Sequence, residues 1–67
     1  MNIAIIGLGK VAELHVEALR QLDPYAFTGG WSRSADKAKA FCTRFGGRAY
    51  ATTEALLGDD EHVAVVL

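Results

Sequence analysis

Three small residues at fixed spacing, Gly7-x-Gly9-x-x-Ala12, form the pattern in this chain best suited to chemistry. They follow the apolar, β-branched run Ile3-Ala4-Ile5-Ile6 and lead into a segment with helical periodicity. That context reads as a buried strand turning sharply into a helix. Each residue type has a physical reason. Gly7 permits the tight turn, Gly9 lets a pyrophosphate approach the backbone, and the small Ala12 lets the helix pack closely on the strand. The first helical turn then offers unpaired N–H groups and the positive end of its dipole to phosphate oxygens.

A second group lies about 20 residues beyond Ala12, where dinucleotide folds carry an acid that accepts hydrogen bonds from the adenine ribose. Here that place is held by Ser32, followed by Arg33 and Ser34. A carboxylate would repel a 2′-phosphate. Two hydroxyls and a guanidinium would hold one, the guanidinium through charge-assisted bonds, and Lys37 adds charge one turn further on. The residues therefore favour NADP over NAD as cofactor. The alternative for Ser32 and Ser34 is that they cap a turn beside a solvated Arg33.

The elements that must position these groups follow in order. Strand one covers residues 2–6. Helix one runs from residue 9 or 10 to 22, with Val11, Leu14, Ala18, Leu19 and Leu22 expected on its buried face, and Asp23-Pro24 stops it. Strand two covers residues 25–32, with Tyr25, Phe27 and Trp31 alternating onto one face and Gly29-Gly30 allowing a close approach. Ser34 is the expected N-cap of helix two, whose buried stripe is Ala35, Ala38, Phe41, Cys42 and Phe45. Gly46-Gly47 ends it. A short strand at residues 48–51, a helical stub capped by Thr52 or Thr53 and running to Leu57, an acidic loop Asp59-Asp60-Glu61 and a strand at 62–67 complete the chain.

This β-α-β-α-β-(short α)-β order predicts an α/β fold, the first half of a Rossmann-type doubly wound parallel sheet with strand order 3-2-1-4. Right-handed crossovers put both long helices on one sheet face and leave only residues 53–57 for the other. The chain also stops inside an apolar run, so a partial chain or a homo-oligomer is expected. Residues 1–67 are thus read as the N-terminal part of a dinucleotide-binding domain.

Composition narrows the remaining classes. The 67 residues allow one small domain, and hydrophobic residues make up 51% with a net charge of −1. A chain of this size buries only about 60% of its unfolded surface. No basic surface suggests nucleic acid, and no leader or long apolar run suggests a membrane. The single Cys42 excludes an internal disulfide, and the cytoplasm is the default location. His15 reads as a packed or hydrogen-bonded helix residue, and His62 as a solvated strand end. Trp31 reads as packing under the helices, with adenine stacking as the alternative. No metal-ligand spacing is present.

Several of these segments resemble one family. Ile3-Ala4-Ile5-Ile6-Gly7-Leu8-Gly9-Lys10-Val11-Ala12, followed by His15 and Glu17-Ala18-Leu19, resembles the opening of the Gfo/Idh/MocA oxidoreductases. Ser32-Arg33-Ser34-Ala35-Asp36-Lys37-Ala38 with Phe41 and Phe45-Gly46 is similar to that family's second strand and helix, and Tyr50 with Thr53-Glu54-Ala55-Leu56-Leu57 to its third-strand segment. The resemblance implies NAD(P)-dependent hydride transfer at a hydroxyl or carbonyl carbon, often of a sugar or cyclitol. It places Gly7, Leu8, Gly9, Lys10, Val11 and Ala12 in the pyrophosphate turn. Ser32 and Arg33 fall where many members have an acid. The family's catalytic lysine, in a Glu-Lys-Pro segment, and its substrate-binding domain would lie past Leu67; Lys10, Lys37 and Lys39 do not match that lysine. No catalytic residue is nominated. A self-associating non-catalytic module and another Rossmann enzyme, such as a hydroxyacid dehydrogenase or a methyltransferase, are the alternatives.

Overall fold

The computed structural model describes residues 2–59 and 62–67. Its elements are β1 (Ile3–Ile6), α1 (Lys10–Leu22), β2 (Phe27–Trp31), α2 (Ala35–Phe45), β3 (Arg48–Ala49), α3 (Thr53–Leu57) and β4 (Val63–Val66). The four strands form one sheet in the order β3-β2-β1-β4, and all three pairings are parallel. This is the expected Rossmann-type half fold. The order reverses beside β1, where the chain leaves for β2 on one side and returns as β4 on the other. Such a reversal opens a crevice at the carboxyl ends of the strands.

Alternation along β1 divides the core into two layers. Ile5, with Ile3 at its edge, packs against Ala12 and Val16 of α1, Ala38, Phe41, Cys42 and Phe45 of α2, and Phe27 of β2. Ala4, with Ile6 at its edge, faces the opposite layer of Tyr50 and Leu56, joined by the half-buried Trp31 and Ala64. Phe27, Phe41 and Phe45 stack in sequence, with centroids 5.5 and 4.7 Å apart. Burial inside that layer pushes the Cys42 thiol above its ordinary pKa, as befits a small packing residue. Helix α2 buries its expected stripe except Ala35, which is exposed in the first turn.

Helix α1 is turned differently from the expectation. Val11, Leu14 and Leu22 are 59, 68 and 88% exposed, while Ala12 and Val16 are buried, Leu19 is half-buried and Ala18 is exposed. The phase is set by the glycine turn: Ala12 must face the strand, which carries positions four and seven residues on, Val16 and Leu19, inward with it. One flank of the helix then holds Glu13, half-buried, and Glu17, exposed. Arg44 of α2 reaches both, at 3.1 and 3.7 Å.

Strand β2 is shorter than expected, and its alternation is broken. Tyr25 lies in the turn after α1, 83% exposed, with its N–H donated to the Asp23 carboxylate. The register against β1 slips between Ile3 and Ala4, so that Ile3 pairs with Phe27 but Ala4 pairs with Gly29. The extra residue sends Phe27 to the α1–α2 face and Trp31 to the α3 face, so Trp31 does not pack under the long helices.

Two further expectations change. His62 is half-buried and not a solvated end: its Nε2 lies 2.7 Å from the Leu56 carbonyl and its ring packs edge-on to Tyr50. The hydroxyl of Tyr50 donates to the Asp59 carboxylate at 2.7 Å. Asp60 and Glu61 lie outside the described residues. His15 is exposed, on the rim of an apolar groove formed with Ile3, Ile5, Leu19, Val65 and Leu67. Among the described residues no helix is long and apolar enough to cross a membrane.

Candidate functional site

The strand-to-helix turn is built as the sequence requires. Gly7 has φ +103°, a conformation that costs any residue with a Cβ, and an added Cβ would also lie 3.0 Å from the Leu67 carbonyl oxygen. Gly9 is extended at the N-cap of α1 and provides no side-chain cap. Around it the space is open: a Cβ built on Gly9 meets nothing within 4 Å. The first intrahelical bond of the turn runs from Glu13 N–H to the Gly9 carbonyl at 3.1 Å. The amides before it, in Lys10, Val11 and Ala12, have no helical partner, the normal state of a helix start.

The second group arrives through β2 and α2. Trp31 ends β2, and its neighbours Ser32 and Ser34 form two local turns. Ser32 Oγ accepts from the Ser34 N–H at 3.4 Å, and Ser34 Oγ caps α2 by accepting from the Lys37 N–H at 3.3 Å. Both hydroxyls therefore do the capping that the plainer reading assigned them. Each still carries its own proton, free to be donated to an anion. Capping and anion binding are compatible here.

All ten sequence-selected residues line one open cleft of about 650 Å³: Gly7, Leu8, Gly9, Lys10, Val11, Ala12, Ser32, Arg33, Ser34 and Lys37. The described residues of its wall include three cations, Lys10, Arg33 and Lys37, and no acid. With α1 opening its N-terminus into the same space, the cleft has a positive field. Ile6, Trp31 and Leu67 also line it; Ile6 and Leu67 were missed by the motif reading, and for Trp31 a place here was only the alternative to packing under the helices. The signal for two of them was available. Ile6 and Trp31 are the last residues of adjacent parallel strands, whose carboxyl ends border the crevice of such a sheet. Among the described residues no group of three or more metal-ligating side chains gathers.

The model of the Gfo/Idh/MocA family, an oxidoreductase family with an NAD-binding Rossmann fold, matches residues 1–67. The chain belongs to that family. It also superposes on the crystal structure of a protein from Desulfitobacterium hafniense DCB-2, named as a candidate NADPH-dependent oxidoreductase. The TM-score is 0.89 at 28% sequence identity, over 100% of this chain and 20% of that one. The Gfo/Idh/MocA chain described here thus spans about a fifth of the length of that structure. No curated protein matches it.

Proposed function

We propose that residues 1–67 form the cofactor-binding N-terminal part of an NAD(P)-dependent oxidoreductase of the cytoplasm, holding the ADP half of the dinucleotide with NADP preferred. The observation that carries this reading is the open space at Gly9, beside free helix-start amides and opposite Ser32, Arg33 and Lys37. A diphosphate fits where any larger residue at position 9 would intrude. Main-chain N–H groups of Lys10, Val11 and Ala12 bind its oxygens. Arg33, with the Ser32 and Ser34 hydroxyls and Lys37, holds the 2′-phosphate, and none of the described residues of the wall is an acid that would repel it.

Bound NAD(P) supplies the hydride acceptor or donor, acting on a hydroxyl or carbonyl carbon. A sugar or cyclitol is the substrate class that the family suggests, held by a domain outside these residues. This chain's own part is to bind and orient; none of its residues is assigned a proton-transfer role.

Calorimetric titration of the full-length protein with NADPH and NADH tests the reading. NADPH should bind at least tenfold more tightly, and Arg33→Asp should reverse the order, since a hydrogen bond to a charged group contributes about 1.5–3 kcal/mol. Equal affinities that Arg33→Asp leaves equal would remove the NADP preference. If neither cofactor bound, the dinucleotide reading itself would fall.

A further inference from the structure

Beside the cleft runs a second groove of about 360 Å³, between α1 and α2. Leu8, Gly9, Lys10 and Lys37 line both, so the two spaces share a wall. Among the described residues only the groove has an acid in its lining, Glu13.

That acid stands in a sensitive place. Glu13 lies one turn past Gly9, about 6 Å along the helix axis, and its backbone N–H closes the first hydrogen bond of α1. Charges act on one another over about 10 Å at 0.1 M salt. A carboxylate at this point competes with a diphosphate for the positive pole of the same helix. Its spacing also suits a pair with Lys10, three residues back, and Lys37 lines the same groove.

The structure shows a different partner. Glu13 Oε1 accepts from Arg44 Nη1 of α2 at 3.1 Å, and Arg44 lines the groove but not the cleft. The guanidinium is itself fixed from two further sides. Its Nη2 lies 3.7 Å from the Glu17 carboxylate, and it sits over the Phe45 ring, 4.7 Å from the centroid. Lys10 and Lys37 form no ion pair among the described residues.

Resting on the dinucleotide reading above, we propose that Arg44 is a positioning residue for cofactor binding. It draws the Glu13 carboxylate onto α2 and so keeps Lys10, Lys37 and the start of α1 for the phosphates. The pair is partly exposed on both sides, so it adds little to stability. Its effect is read in affinity.

The test is a double-mutant cycle on the full-length protein, titrated with NADPH at low ionic strength. Arg44→Met, which keeps an apolar stem over Phe45, should weaken binding about threefold, the scale of one partly screened surface charge. Glu13→Gln should bind as the native protein does or slightly more tightly. Adding Arg44→Met to Glu13→Gln should then cost nothing further, and 1 M salt should erase the effect of Arg44→Met alone. The unfolding midpoint of Arg44→Met should fall by no more than a few degrees. Native affinity in Arg44→Met overturns the assignment and leaves the dinucleotide reading standing. So does a loss that persists in the Glu13→Gln background, since Arg44 would then act through its own charge or its packing. Weakening by Glu13→Gln equal to that by Arg44→Met also overturns it, because the pair would then only hold the two helices together. If the native protein did not bind NADPH, both readings would fall.

Discussion

Gly7 and Gly9 occupy the same motif for different reasons. Gly7 is required by its own backbone, at φ +103°. Gly9 has an extended conformation open to any L-residue, so its smallness concerns what lies outside the chain. That distinction yields a clean prediction. Gly9→Ser should fold as well as the native protein, because serine is a good N-cap in this conformation and its Cβ meets no protein atom within 4 Å. Its side chain should still lower NADPH affinity by roughly tenfold or more, about 1.4 kcal/mol, by filling the place of a phosphate. Thermal unfolding and titration of the same sample check both halves. A variant that binds NADPH as the native protein does would contradict the assignment of that space.

At the scale of elements, most of the fold was legible in the sequence, and the failures share one cause. Helix α1 carries apolar residues at positions 11, 14, 18 and 22 as well as at 12, 16 and 19, so periodicity alone does not choose its inward face. The choice comes from tertiary geometry at Ala12, three residues after a glycine turn. Strand β2 shows the same limit, since the slip opposite Ile3 and Ala4 belongs to the pairing and not to either strand. The two glycines of β2 were rightly read as sites of close approach, but protein occupies both. A Cβ on Gly29 would lie 2.6 Å from the Tyr50 ring and 2.9 Å from the Arg48 carbonyl oxygen, and one on Gly30 would lie 2.7 Å from Leu8. Gly29→Ala should therefore destabilise the fold by about 1–3 kcal/mol, because the backbone carbonyl cannot move aside as a side chain can. Urea denaturation measures this. A midpoint unchanged from the native protein would mean that β2 and β3 are not packed as described. The cleft lining was legible where a motif marked it, from Gly7 to Ala12 and from Ser32 to Lys37; Ile6 carries no motif and enters only by strand adjacency, and Leu67 only by the pairing of β4 with β1.

At the scale of the whole molecule, the sheet is covered unevenly. Helices α1 and α2 cover β1 to β3 on one face, while β4 lies at the edge with Val63 65% and Val66 72% exposed. Next to it runs the apolar groove beneath His15, and Leu14 and Leu22 of α1 are exposed as well. A free strand edge beside so much apolar surface favours association. The 67-residue chain should therefore self-associate in sedimentation equilibrium at micromolar concentration. A folded, stable monomer there would show that this surface needs no cover.

The central claim is that main-chain amides where β1 bends into α1 receive a diphosphate. Amide chemical shifts followed by nuclear magnetic resonance during NADPH titration report on those groups directly. The account predicts the largest, saturable shifts at Gly9, Lys10, Val11 and Ala12, with accompanying shifts at Arg33 and Ser34. Binding that leaves these amides unmoved while residues elsewhere shift would contradict it.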